Sequence, residues 1–355
     1  MLRSALRFFI LSLLLLTVSL ASDIERLISW KPQKNHPGMI LPVLNGETPQ
    51  MAIDRYRNTL YKTKDLDEAM KKHKVTRKMI SGNTYEVVSL DALKESPRPN
   101  FLLIANQFND YTSKYYRIWN FLNPINKNGG VAYLLPISVD ASLNKNQAQE
   151  FRDLVARSFD SLFGMGGDDV DPKLYGEEVT HSVNIVPTRD LSEVKMIKTY
   201  IQKKRGVYFG ICRGSQICFV AKGGKLHQDI FSEGVTDEHV DVWHKVKLVK
   251  DDDNLLRAFT GKDEVDIYSY HHQAVREGTA DVSINSVEGT GVNRVVEGYQ
   301  FKNGLGLTFQ FHPEMMHNKD GDAIMAGVVK YSSFVKENRF QGPSCFNLAS
   351  KFLSP

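Results

Sequence analysis

Beyond about residue 99, short continuous apolar runs alternate with stretches whose apolar positions recur every three or four residues. Phe101 to Ala105, Val131 to Pro136, Ser161 to Phe163 and Gly206 to Gly210 are runs of strand length. Between them, residues 111–127, 151–157 and 192–204 carry helical spacing. This βα rhythm predicts a mainly parallel sheet flanked by helices, with its central strands buried on both faces. Residues 246–249, 281–286, 295–301 and 305–309 then form strand-like segments at shorter spacing, which predicts a small antiparallel addition, and a final helix is expected near 322–336. The fold class read from the pattern is therefore α/β.

The preceding part is different. Residues 22–98 are rich in Lys, Pro and polar residues, with a helical pattern at 51–72 and a strand-like pair within 77–90 around Ser81-Gly82-Asn83. Pro97 and Pro99 mark its end. The expected organisation is a targeting segment at 1–21, an N-terminal extension at 22–98 without recognisable chemistry, a catalytic-type domain at 99–340 and a tail at 341–355. No internal repeat or low-complexity tract is present.

At the start, Arg3 and Arg7 precede an apolar run from Phe8 to Leu20, and Ser19-Leu20-Ala21 suits cleavage after Ala21. The run is shorter than the ~20 residues needed to span a bilayer, so a cleaved secretory signal is expected rather than a retained anchor. The protein is expected to be exported, to the periplasm or the medium. Composition is that of an ordinary globular chain, with 42% hydrophobic and 24% charged residues among 355. The 45 basic and 41 acidic residues nearly balance, and the basic clusters are short and scattered, which excludes a nucleic-acid footprint. Three cysteines, Cys212, Cys218 and Cys345, cannot make a disulfide framework. At most one bridge can form, and Cys218 with Cys345 is the pairing that spares Cys212.

The most informative segment is Val207-Tyr208-Phe209-Gly210-Ile211-Cys212-Arg213-Gly214-Ser215-Gln216, an apolar strand passing through Gly-x-Cys-x-Gly into a helix. A nucleophile on a sharp strand-to-helix turn needs close backbone approach, which flanking glycines permit. The helix N-terminus also favours negative charge there. The bland alternative is that Cys212 is a small core residue. Cys218 lacks the glycine frame and has apolar neighbours, so it reads as core. Near the other end, Leu307 to Phe311 runs into His312-Pro313-Glu314. A histidine at a strand end can serve as general base and acid, and a carboxylate two residues on can orient it. Alone, His312 would read as a structural histidine; paired with the elbow it reads as catalytic.

These blocks resemble class I glutamine amidotransferase-type domains with a flavodoxin-like core, and within that superfamily the γ-glutamyl hydrolases of the C26 peptidase type, including γ-glutamyl-γ-aminobutyrate hydrolases. The resemblance rests on Gly166-Gly167-Asp168-Asp169-Val170-Asp171-Pro172, Arg189-Asp190 with Glu193, Gly210 to Gln216, Gly223 to Asp229, Ser269-Tyr270-His271-His272-Gln273, Glu297 and Gln310 to Glu314, covering roughly residues 100–335. It implies Cys212 as nucleophile, His312 as base and Glu314 as its orienter. It also implies an oxyanion hole from the Gly166-Gly167 turn and the backbone N–H of Arg213. Gln216, Ser269, His271, His272 and Gln273 match positions that hold the α-amino and α-carboxylate groups of a γ-glutamyl unit. Asn293 to Glu297 departs from the glycine-containing turn common in relatives, which places any difference on the acyl-acceptor side.

His271 and His272, with His239 and His244 upstream, also invite a metal reading. Their spacing matches no recognised ligand pattern and the thiol chemistry needs no metal, so neither metal nor cofactor is expected. The leading expectation is an exported cysteine hydrolase of γ-glutamyl amides acting on a small γ-glutamyl substrate. Two others stand beside it: a non-catalytic γ-glutamyl or amino-acid binding protein, and a glutaminase subunit passing ammonia to a synthase. A homodimer is the default assembly, since dimers are the commonest.

Overall fold

The computed structural model describes residues 22–34, 36–64, 67–68, 71, 74, 76–105, 117–236, 239–339 and 348–353. The expected signal segment at 1–21, Cys345 and residues 111–116 of an expected helix lie outside the described residues. Fourteen strands are described: β1 (Ile24–Lys31), β2 (Met39–Leu44), β3 (Thr84–Val88), β4 (Asn100–Ala105), β5 (Val131–Pro136), β6 (Ser161–Gly164), β7 (Val207–Ile211), β8 (Leu226–His227), β9 (Val240–Leu248), β10 (Glu264–Tyr270), β11 (Ala274–Val275), β12 (Ser283–Glu288), β13 (Val295–Gln300) and β14 (Gly306–Phe309).

Twelve of them form one sheet in the order β10-β9-β12-β13-β14-β7-β6-β4-β5-β2-β1-β3, and β11 and β8 pair separately. From β14 to β2 the neighbours are parallel. Their sequences explain it, because β4, β6 and β7 are buried at every position, as strands covered on both faces must be. The outer strands β9 and β10 instead alternate exposed and buried positions, as antiparallel strands with one wet face do. Helices Lys145–Ser158, Pro187–Lys203 and Arg213–Ala221 pack in succession, and Arg117–Lys127 packs on the long helix Lys319–Asn338. No described helix is long and apolar enough to cross a membrane.

Two expectations for residues 22–98 change. The pair within 77–90 is a short 3-10 turn at Arg77–Ile80 followed by β3 alone; of the expected 51–72 helix, Pro49–Leu60 is helical and, after a turn, so are residues 64, 67, 68 and 71, while 65, 66, 69, 70 and 72 lie outside the described residues. The segment also continues the central sheet, with β2 lying parallel to β5 and β1 joining β2 to β3. Its side chains enter the common core: Trp30 is fully buried and donates from Nε1 to Gly82 O at 2.7 Å, and Tyr56 shares a 2.8 Å hydrogen bond with Ser138 Oγ. Pro42 made this stretch unlike a strand in sequence, yet a strand tolerates proline where the missing N–H is not needed, and β2 meets β5 only at Met39 and Leu134.

Candidate active site

The C-terminal ends of β6, β7 and β14, with the segment after β10, surround a cleft of about 630 Å³. Ligands bind in this place in open parallel sheets because the strand-to-helix loops converge there. Cys212, His312, Glu314, Gly166, Gly167, Gln216, His271, His272 and Gln273 all line it, so the structure gathers nine of the eleven residues expected from sequence.

Cys212 leaves β7 with φ 51° and ψ −115°, a left-handed conformation that side-chain-bearing residues rarely adopt. It is held by Cys212 N donating to Phe309 O at 2.8 Å and Ser215 N donating to Cys212 O at 2.9 Å. The flanking glycines are there for space. A Cβ on Gly214 would lie 2.1 Å from the backbone oxygen of Gly164, and one on Gly210 would lie 2.7 Å from Gly214 O. Gly214→Ala therefore has to push β6 away from the elbow, at a cost of about 1–3 kcal/mol or more, and it should lower the melting temperature and displace Cys212. Thermal unfolding together with the rate of thiol alkylation checks this.

His312 follows β14, and its Nδ1 donates to Glu314 Oε1 at 2.7 Å. That bond leaves Nε2 as the nitrogen that faces the Cys212 thiol. Burial opposes a charged ring, but the negative charge of Glu314, and that of Cys212 when ionised, outweigh it and push His312 up to about 10. Gly166 touches both groups: an added Cβ would lie 3.3 Å from His312 Cε1 and 3.7 Å from Cys212 Cβ. The Gly166-Gly167 turn thus adjoins the reacting atoms. Arg213 occupies the first position of the elbow helix, where a backbone N–H has no intrahelical acceptor.

The Arg213 side chain turns away from the cleft. It is buried against Asp190 and Glu193, while Arg189 Nε donates to Glu193 Oε1 at 2.7 Å. Asp171 N donates to Asp190 Oδ2 at 2.9 Å, so this cluster ties the loop after β6 to the elbow. Sequence comparison marked Arg189, Asp190 and Glu193 without a role; the structure supplies it.

On the other wall, Gln216 Nε2 donates to Gln273 O at 3.0 Å and Gln273 Nε2 donates to Ser182 Oγ at 2.8 Å. His272 Nε2 donates to Asp169 Oδ1 at 3.0 Å, and this bond raises the histidine's pKa. Ser269 is the correction. Successive strand residues face opposite sides, and with Tyr268 and Tyr270 lining the cleft, Ser269 points away, fully buried and bonded to His244 Nε2 at 2.8 Å. Tyr268, Tyr270 and Val240 add a partly exposed apolar rim that sequence reasoning missed, because only the pairing of β9 with β10 brings them to the mouth. Cys218 is fully buried and burial pushes its thiol up to about 12, which fits an inert core residue.

The Peptidase C26 family model matches residues 102–314. A candidate glutamine amidotransferase of Schizosaccharomyces pombe is 29% identical over 214 residues, 58% of this chain and 77% of that protein. Another, of Mycobacterium tuberculosis, is 31% identical over 202 residues, 55% of this chain and 61% of that one. Among solved structures, the glutaminase domain of Trypanosoma brucei CTPS with bound acivicin superposes with a TM-score of 0.50 at 14% identity, covering 66% of this chain and 93% of that domain. With its fold and the extent of the family match both in agreement, the chain belongs to the Peptidase C26 family, in the class I glutamine amidotransferase-like superfamily, and its activity is of the glutamine amidotransferase or hydrolase type.

Proposed function

We propose that the protein is an exported cysteine hydrolase that cleaves γ-glutamyl amide bonds. The observation that carries this reading is the coincidence, in one cleft, of a left-handed Cys212 with a His312 whose Nδ1 is held by Glu314. The Cys212 sulfur attacks the γ-carbonyl carbon, forming a C–S bond, and the Gly166-Gly167 turn with the N–H of Arg213 receives the charge that develops on oxygen. His312, carrying the thiol proton, passes it to the departing nitrogen as the C–N bond breaks. Water then adds to the γ-glutamyl thioester with His312 as base, releasing glutamate and restoring the thiol. Gln216, His272 and Gln273 supply fixed polar groups for the α-amino and α-carboxylate ends, and export rests on the pattern of residues 1–21.

Purified protein offered glutamine, a γ-glutamyl dipeptide, γ-glutamyl-γ-aminobutyrate and a poly-γ-glutamyl substrate should release amine from at least one γ-glutamyl compound. Silence across the panel, with Cys212 inert toward an alkylating probe, would favour a binding protein instead. The descriptions of the relatives favour glutaminase chemistry as the second reading, and preference for free glutamine over every substituted amide would support it.

A further inference from the structure

Behind the wall formed by His271 and Gln273, and outside the cleft lining, β9, β13 and the residue preceding β9 bring His239, His244 and Glu297 together. One nitrogen or oxygen from each lies within 4.8 Å of the others. We propose that these three side chains bind a divalent transition-metal ion, with zinc the best match to two imidazoles and a carboxylate.

The unmet bonding of the cluster is the main argument. Glu297 is wholly buried, and only the imidazoles of His239 and His271 face it, both on Oε1 and neither in good hydrogen-bond alignment, which leaves Oε2 with no partner. His239 is 1% exposed, its Nδ1 makes no hydrogen bond, and its Nε2 faces Glu297 Oε1 at 3.1 Å. A buried carboxylate met only by misaligned imidazoles on one of its oxygens is costly, so a cation is expected to balance it. The tautomers point the same way. His244 shares a 2.8 Å hydrogen bond between Nε2 and Ser269 Oγ, and with Nε2 as donor the unpartnered Nδ1 carries a lone pair. Metal-binding histidines characteristically donate their second nitrogen in this way.

His271 adds a fourth donor. Its Nδ1 donates to Gln273 O at 3.0 Å, since a carbonyl can only accept, which leaves Nε2 with a lone pair 3.6 Å from Glu297 Oε1. Two imidazoles and a carboxylate form a known three-ligand zinc set, with bonds of about 2.0–2.2 Å, so the cluster would contract around the ion. Because His271 N also donates to His239 O at 2.9 Å, that contraction would fix the segment from which His271 to Gln273 face the cleft.

The site is independent of the hydrolase reading and is tested by metal content. Full-length protein carrying Cys212→Ala, which removes the thiol in the cleft, should hold about one equivalent of zinc by elemental analysis, and cobalt(II) added to chelator-treated protein should give the visible absorption of a nitrogen- and oxygen-ligated ion. Glu297→Gln and His244→Gln should each lower metal content at least tenfold, and Ser269→Ala should weaken affinity by roughly 10–100-fold. If the ligand variants fail to fold, the cobalt titration of the parent decides. Absence of bound metal with a flat cobalt titration, or equal metal content in the parent and Glu297→Gln, would overturn the site and leave a proton-bridged histidine–glutamate cluster.

Discussion

Cys212→Ala should remove at least about a thousandfold of γ-glutamyl hydrolysis while leaving the melting temperature within a few degrees of wild type. The loss is large because no other described nucleophile stands beside His312 in the cleft, and Cys218 is sealed in the core. The fold should survive because the elbow is held by backbone bonds and by Gly210 and Gly214, not by the thiol. Substantial residual turnover would remove Cys212 from the mechanism. The same pair sets a pH limit. With His312 pushed up to about 10, its ability to protonate the departing amine is lost as pH rises through that value. Glu314→Gln removes the largest charge that raises it, so the alkaline limb of kcat/KM should move to lower pH. Stability follows the same sign, since a raised histidine contributes fully below its unfolded value near 6.5 and loses that contribution as pH climbs through about 10.

The second large effect is on folding. Arg213→Ala would leave Asp190 and Glu193 buried against one another with only Arg189 in reach. Burial already pushes Asp190 up; burial also acts to raise Glu193, but Arg213 and Arg189 bring it below its usual value. Removing one partner from such a cluster costs about 3–5 kcal/mol, because the remaining charges stay desolvated. For a chain of this size that is a fall in melting temperature of roughly 4–7 °C. Arg213→Lys should recover only part of it, since a single ammonium cannot serve two carboxylates as the guanidinium fork does. Thermal unfolding of the three proteins checks the order wild type, lysine variant, alanine variant. Equal stability of wild type and Arg213→Ala would show that the cluster is not needed to brace the elbow.

The parallel core and the cleft were legible in the chain for a common reason. Continuous apolar runs such as Phe101 to Ala105 mark strands buried on both faces, and a nucleophile turn leaves local marks in Gly210, Gly214 and the His312-Pro313-Glu314 sequence. What escaped depends on contacts between distant segments. β1 and β2 were hidden by Pro42 and by polar surroundings, and became visible only through their pairing with each other and with β5. Ser269 matched a substrate-binding block, but the alternation of β10 turns it to the opposite side from Tyr268 and Tyr270. His239, His244 and Glu297 have no informative spacing, since their proximity arises from the order β10-β9-β12-β13 across the sheet.

The most direct test of covalent γ-glutamyl transfer is the intact mass of the protein, quenched during turnover of a γ-glutamyl substrate. A mass increase of one γ-glutamyl unit is expected, located on the peptide containing Cys212, labile to hydroxylamine and absent from Cys212→Ala. Continued amine release with no such adduct under rapid quenching, or an adduct on any other residue, would contradict the proposed mechanism.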